Sequence, residues 1–148
     1  MIGVVQRIIE AEVTSTAPPH RAAAGPGLCV LLAVEAGDAD QDATWMADKL
    51  ARLRIFRDEN DRMNRSVLDT GGEILLVSQF TLAGDCTRGN RPSFVRAADP
   101  TEGERLYLAV ADRLRSEHRL TVGLGVFGAD MRVRLVNDGP VTLIVQRR

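Results

Sequence analysis

The chain has 148 residues, of which 45% are hydrophobic and 26% charged, and its formal net charge is −1. This length suits one domain over residues 1–148 with a sizeable hydrophobic core. No apolar run approaches the roughly 20 residues that cross a bilayer, and no basic segment precedes a short apolar one, so we expect a cytoplasmic protein with no membrane partner. The nearly balanced charge disfavours a broad nucleic-acid surface but allows a small basic pocket, and no DNA partner is expected.

The N-terminal part of the sequence predicts two strands joined by a loop. MIGVVQRIIEAEV is rich in β-branched residues, and LCVLLAV is a continuous apolar run typical of a buried strand. Between them, TSTAPPHRAAAGPG is predicted to be a loop, because Pro18, Pro19 and Pro26 lack backbone donors. Cys29 lies in the apolar run and Cys86 in a polar segment, so no disulfide is expected.

The central part predicts two helices around one buried strand. A helix begins near Asp38, and its apolar residues recur at helical spacing. RIFRDENDRMNRSVLDTGG indicates a short strand, a polar turn and a loop, EILLVSQFTL a strand, and AGDCTRGNRPSFVRAADP an irregular segment. Asp99 caps the second helix, with Pro100 at its first position and Glu102 closing a capping box.

The C-terminal part predicts three strands. They are RLTVGL, DMRVRLVN and PVTLIVQ, and the last two flank residues 137–140 as a hairpin. Apolar residues alternate with arginines in DMRVRLV, which indicates a sheet covered on one face. The prediction is therefore an α+β fold: a single domain with a largely antiparallel, barrel-like sheet and two main helices.

Three chemical patterns are not supported by their context. GLGVFG matches the dinucleotide motif G-x-G-x-x-G, but a strand is predicted after it and no βαβ unit surrounds it. A serine or cysteine nucleophile needs an imidazole within reach, whereas His20 and His118 are expected to be surface residues. Two histidines and two scattered cysteines form no ligand pattern, so we predict no metal site and no cofactor.

Two polar segments suit ligand binding, and each also has a plainer interpretation. Residues 78–81 (SQFT) follow an apolar strand, where polar groups either ring a pocket or, more commonly, simply meet solvent. TRGNRPSFVR places Arg88, Arg91 and Arg96 around Phe94. That grouping suits a phosphate and a stacked base, or equally a solvated loop.

Five motifs occur in one order along the chain: QR near the N-terminus, SQFTL, RPSF, FGADM and NDGPVT. Alone, NDGP is typical of a turn, although its glycine leaves a carbonyl reachable and its Gly–Pro bond tolerates the cis form. Together the motifs make the chain, from Met1 to Gln146, similar to the D-aminoacyl-tRNA deacylase family (formerly D-tyrosyl-tRNA deacylase). The resemblance implies a homodimer that hydrolyses the ester between a D-amino acid and the acceptor end of tRNA. Glycyl-tRNA is a further implied substrate, because small achiral glycine would also enter the pocket.

The resemblance also implies a site shared between two subunits. A cis Gly139–Pro140 turn would enter the partner's pocket, where the Gly139 carbonyl holds the α-amino group of the substrate and an L side chain has no room. Arg7 would brace this turn. The implied pocket residues are Ser78, Gln79, Phe80, Thr81, Phe94 and Met131.

The implied chemistry uses no catalytic histidine. Main-chain amides around Phe80 and Thr81 would polarise the ester carbonyl, and the 2′-hydroxyl of the terminal adenosine would help to activate water. A Thr81 nucleophile ranks second, because no base lies near it in sequence. The alternatives are a non-catalytic protein that binds tRNA acceptor ends and, more distantly, a metal-dependent esterase. The chain departs from the family at Ala83, where many relatives carry tyrosine, and at Pro18–Pro19, which replace a glycine-turned hairpin.

Overall fold

The computed structural model describes residues 1–147. Within them the chain forms one domain with three helices, a six-stranded mixed sheet and a small two-stranded sheet. No helix in this range is long and apolar enough to span a membrane. In chain order the elements are β1 (Ile2–Thr16), β2 (Pro19–Ala24), β3 (Gly27–Ala33), α1 (Asp40–Arg52), β4 (Phe56–Arg57), β5 (Met63–Arg65), α2 (Val67–Thr70), β6 (Glu73–Ser78), a 3-10 turn (Phe80–Ala83), α3 (Pro100–Ser116), β7 (Val122–Leu124) and β8 (Met131–Gln146).

The segment TSTAPPHRAAAGPG is part of a long hairpin, so its prediction as a loop is wrong. β2 and β3 both run antiparallel to β1 in one uninterrupted register, from Thr16 opposite Pro19 to Ile2 opposite Ala33. The Ala17–Pro18 bond, which is cis, makes the turn. Pro19 is the first residue of its strand, a position where a missing N–H is tolerated.

The sheet is mixed, so the expected largely antiparallel character is not confirmed. β6 runs parallel to both β3 and β7, whereas β1 is antiparallel to β2, β3 and β8. The free side of β7 approaches β2, because a Cβ built on Gly123 would lie 3.2 Å from the carbonyl oxygen of Ala23. This approach nearly closes the sheet into a barrel.

β8 is one strand, so the predicted hairpin around NDGP is wrong. Met131 pairs with Ser15 and Gln146 pairs with Ile2, so both halves of β8 run along β1 in the same direction. The register shifts between the two halves, where five residues of β8 (137–141) face three of β1 (7–9). NDGP therefore lies in a bulge, a local insertion in a strand that keeps its direction.

Two helices cover one face of the sheet. α1 and α3 pack on β3 and β6, whose buried residues alternate between the helices and the interior of the barrel. This explains the continuous apolar run in β3, which includes Cys29, where burial raises the pKa of the thiol to about 11. Cys29 and Cys86 are both free thiols.

The helix termini differ in detail from the prediction. α1 begins at Asp40, two residues later than expected. Asp99 caps α3 by accepting from the amides of Thr101 and Glu102, and Pro100 occupies the first turn. The predicted capping box is wrong, because the Glu102 carboxylate pairs with Arg105.

A charged cluster ties α1 to α3. Asp48 accepts hydrogen bonds from Arg113 at 2.9 Å and pairs with His118 at 2.7 Å. The His118 side chain is only 7% exposed, so its prediction as a surface residue is wrong. His20 is exposed, as predicted, and its ring contacts the carbonyl oxygen of Leu124.

Candidate functional site

A cleft opens at the C-terminal end of β6. Ser78 ends the strand, and Gln79 turns the chain while its amide donates to the carbonyl of Leu32 at 2.8 Å. The 3-10 turn follows at once. The cleft has a volume of about 290 Å³ and is lined by Val77, Ser78, Gln79, Phe80, Phe127, Gly128, Ala129, Asp130, Met131 and Val133.

Two backbone amides at this turn have no acceptor among the described residues. The amides of Leu82 and Gly84 donate within the 3-10 turn, to the carbonyls of Gln79 and Thr81. Those of Phe80 and Thr81 make no hydrogen bond among residues 1–147, as is usual for the first residues of a helical segment. They supply two donors beside the cleft, a suitable arrangement for polarising an ester carbonyl.

The hydroxyl of Thr81 is bound to an amide rather than to a base. Gln79 Nε2 donates to Thr81 Oγ1 at 2.5 Å. No histidine or carboxylate within residues 1–147 forms a hydrogen bond with this hydroxyl, and both imidazoles are bound elsewhere, His20 to the carbonyl of Leu124 and His118 to Asp48. Among the described residues, Thr81 therefore has no hydrogen-bonded general base.

Two phenylalanines form an aromatic mouth at the cleft. The rings of Phe80 and Phe94 meet edge to face with their centroids 5.2 Å apart. Both remain accessible, at 57% and 38% exposure. Gly84 makes this contact possible, because a Cβ there would lie 2.9 Å from the Phe94 ring. Phe94, which the resemblance assigned to the site, lies beside the cleft because its ring packs against Phe80, a lining residue.

The opposite wall of the cleft comes from the turn before β8. Met131 lines it, and a side chain at Gly125 would displace the methionine, because a Cβ there would be 2.7 Å from the Met131 sulfur. Phe127, Asp130 and Val133 also line the cleft without having been assigned to the site, although the FGADM motif pointed to this turn. Asp130 is the one ionisable side chain among the lining residues, and it gives the cleft a preference for a cation.

The second predicted feature, Gly139–Pro140, lies at the bulge in β8. Its peptide bond is cis, and both residues are exposed. Asn137 closes the bulge, because its side chain accepts from the amide of Val141 at 2.7 Å and donates to the Val141 carbonyl at 3.2 Å. Gly139 has φ +143°, and a Cβ there would lie 2.8 Å from Val141 Cγ2, so the bulge requires glycine at this position.

Arg7 lies beneath the bulge and is 2% exposed. Its Nε donates to the Asp138 carbonyl at 3.0 Å, and its Nη1 donates to the Ile55 carbonyl at 2.6 Å. The Asp138 carboxylate pairs with Arg7 at 3.3 Å and with Arg57 at 3.8 Å. A buried charge of this kind is tolerated only when its donors are satisfied, which fixes the base of the bulge.

The bulge and the cleft do not meet within one chain. Gly139 faces Arg7, which pairs with Leu28 of β3, whereas Ser78 pairs with Leu32, four residues further along that strand. β8 reaches the cleft only at its start, where Met131 and Val133 line it, and Gly139 lies further along that strand. At about 3.3 Å per residue, the two features lie on the order of 15 Å or more apart. The residues of the predicted site therefore lie in two separate places on this chain.

A family profile described as D-Tyr-tRNA(Tyr) deacylase matches residues 4–146. The chain belongs to this family. A D-aminoacyl-tRNA deacylase from Variovorax paradoxus is 56% identical over 146 residues, which cover 99% of this chain and 99% of the relative. Another from Heliobacterium modesticaldum is 51% identical over 148 residues, covering 100% and 97% of the two chains. The predicted family, a family of hydrolases, is confirmed.

Solved structures support the fold. One described as c-Myc DNA Unwinding Element Binding Protein matches with a TM-score of 0.92 and 38% identity, over 100% of this chain and 99% of that one. A second, a probable eukaryotic D-amino acid tRNA deacylase, matches with a TM-score of 0.86 over 97% of each chain. Its identity is 17%, so this likeness concerns the fold alone.

Proposed function

We propose that this protein hydrolyses the ester of D-aminoacyl-tRNA, and of glycyl-tRNA, in a site assembled from two subunits. Family membership supports the reaction. The single observation that carries the two-subunit arrangement is the separation of Gly139–Pro140 from the cleft at Ser78–Thr81. A protruding bulge in one subunit and an open cleft in the other complement each other in a symmetric dimer, where each contact occurs twice.

The surface of β8 supports a second copy of this chain as the partner. Among residues 1–147, β8 pairs only with β1, so one edge of a 16-residue strand is free. Long uncovered edges favour pairing with another chain. The exposed apolar side chains on these two strands are Ile9, Val133, Val136, Leu143 and Ile144.

In the proposed site, the Gly139 carbonyl of one subunit accepts from the α-ammonium group held in the cleft of the other. The exposed bulge, fixed through Arg7, leaves no room for an L side chain, so selectivity comes from exclusion. The rim carboxylate of Asp130 has the charge that suits the same ammonium group. Glycine lacks a side chain and would enter equally well.

Hydrolysis proceeds without a protein nucleophile in this proposal. The amides of Phe80 and Thr81 donate to the ester oxygen as it gains negative charge, which is where fixed donors lower the barrier most. The 2′-hydroxyl of the terminal adenosine helps to activate the attacking water. The bound Thr81 hydroxyl argues against covalent catalysis, because an unactivated hydroxyl is a poor nucleophile.

The test compares release of D-tyrosine and L-tyrosine from the corresponding tyrosyl-tRNAs. We expect rapid turnover of the D ester and of glycyl-tRNA, with the L ester left intact. Equal rates for the two enantiomers would contradict selection by exclusion. Salt-sensitive binding of tRNA without release of either amino acid would favour the alternative, a non-catalytic acceptor-end binding protein.

A further inference from the structure

A short arm projects beside the cleft, formed by residues 85–93 and called here the arginine arm. Asp85 and Ser93 join its two ends with paired backbone hydrogen bonds of 2.8 and 3.0 Å. Its tip carries Arg88 and Arg91, both exposed, on either side of Gly89, whose φ of +69° makes the turn. The arm is therefore a small hairpin that presents two guanidinium groups.

The root of the arm is fixed to the cleft. Phe94 follows the arm directly and contacts the Phe80 ring, which lines the cleft. Two residues later, Arg96 pairs with Glu35 at 2.6 Å, and its carbonyl accepts from the amide of Ala36 at 2.9 Å. These contacts hold the arm next to the aromatic mouth.

The two arginines at the tip differ from the charged residues on either side of them. Arg96 is neutralised by Glu35. One oxygen of the Asp85 carboxylate, Oδ1, accepts from the hydroxyl and the amide of Thr87, which holds the turn and lowers the pKa of Asp85. Within residues 1–147, Arg88 and Arg91 form neither an ion pair nor a side-chain hydrogen bond. The arm thus keeps two uncommitted positive charges.

The residues that line the cleft include no basic side chain to bind a phosphate. They include one carboxylate, Asp130, and no lysine, arginine or histidine. A substrate whose ester enters this cleft still carries negatively charged phosphates along its backbone. The positive groups that neutralise these phosphates therefore have to lie outside the cleft. Guanidinium groups bind phosphate oxygens through paired donors, and neighbouring phenylalanine rings stack on unpaired bases.

We infer that the arginine arm binds the backbone phosphates of the single-stranded 3′ end of tRNA, next to the nucleotide whose ester occupies the cleft. This inference rests on the proposed function. Arg88 and Arg91 each neutralise one phosphate, and the aromatic mouth faces the bases. The arm is a binding element and takes no part in the chemical step, so it affects KM rather than kcat.

The test is the variant Arg88→Gln with Arg91→Gln, measured on D-tyrosyl-tRNA over a range of salt concentrations. We expect KM to rise about tenfold near 0.1 M salt with kcat within twofold of the parent. The slope of log kcat/KM against log salt should fall by about 1.4, since each single-strand phosphate contact contributes roughly 0.7. Arg88→Lys with Arg91→Lys keeps the charges and should recover most of the loss.

The matched control is Arg52→Gln with Arg119→Gln, which removes the same charge from the ends of α1 and α3. It should leave KM and the salt slope unchanged. An equal effect of both pairs, or a fall in kcat at constant KM, would overturn the inference. An unchanged KM in the arm variant, with the parent still releasing D-tyrosine, would overturn the inference alone. A parent that releases no D-tyrosine would instead refute the proposed function.

Discussion

At Phe80 the backbone and the side chain have separate tasks. The amide lacks an acceptor among the described residues and faces the reacting ester in our proposal, while the ring forms the rim with Phe94. A comparison of two substitutions can separate these tasks. Alanine removes the ring and keeps the N–H group, whereas proline removes both and keeps the backbone dihedral of the first helical position.

We expect Phe80→Pro to lower kcat by about 100- to 1000-fold, the range seen when one donor to a developing oxyanion is lost. Gln79 has φ −146° and ψ 74°, outside the helical region that a following proline disfavours, so the turn should form. Phe80→Ala removes the ring and keeps the amide, and it is the matched control. Equal losses of kcat in single-turnover assays of the two variants would show that the amide has no special role.

At the scale of elements, β8 determines how the site is arranged. A glycine and a proline between two apolar runs predict a hairpin, but the same residues also fit a bulge in a continuous strand. The choice depends on the partner strand β1, more than 100 residues away in sequence, and on the hydrogen bonds from Asn137 that close the bulge. The pairing with β1 is absent from the local sequence pattern, whereas Asn137 and Val141 both lie within it.

Other errors and successes have similar physical origins. The loop predicted around Pro18 is a hairpin because its prolines fall at the turn and at a strand end. The His118 side chain is largely covered, and it pairs with Asp48, which is distant in sequence. Local signals did predict the Asp99 cap, since it depends on neighbouring residues, but the predicted strand EILLVSQFTL ends early, at Ser78, where a 3-10 turn follows. Of the residues that motif resemblance assigned to the site, Thr81 and Phe94 are not among those that line the cleft, and Phe127 and Asp130 line it without having been assigned.

The junction of α1 and α3 should depend on pH. Hydrogen bonds from Arg113, and then from His118, lower the pKa of Asp48 from 3.8 to about 2. A carboxylate with a lowered pKa stabilises the fold above its ordinary pKa, and this contribution is lost as pH falls towards 2. Asp48→Asn should therefore lower the free energy of unfolding at pH 7 by about 1 kcal/mol.

Urea unfolding of the parent and of Asp48→Asn, at pH 7 and at pH 2, checks this prediction. The difference between the two proteins should shrink at the lower pH, because about half of the parent carboxyl groups are then protonated. A difference that stays constant across this range would show that the ion pairs of Asp48 do not contribute to stability.

At the scale of the whole molecule, we propose that a second copy covers the edge of β8 that no strand among residues 1–147 covers, together with the apolar side chains beside it. Ile144 is 75% exposed, so a charge there should not disturb the fold of one chain. We expect Ile144→Asp to give a monomer in sedimentation velocity and to lose activity together with the dimer. Leu108→Asp, on the outer face of α3 at 39% exposure, is the control and should remain dimeric. An active monomer would contradict the shared site.

Mixing two inactive variants tests most directly whether the cleft and the bulge act across subunits. Gly139→Val disrupts the bulge, because a Cβ at this position would lie 2.8 Å from Val141 Cγ2. Phe80→Pro removes the cleft amide. After unfolding and refolding together in equal amounts, half of the dimers are mixed, and each mixed dimer holds one intact cleft facing one intact bulge. We predict recovery of about a quarter of the parental rate of D-tyrosyl-tRNA hydrolysis, because half of the dimers are mixed and each of these has one working site of two. No activity above that of the separate variants, in mixtures shown to contain mixed dimers, would contradict it.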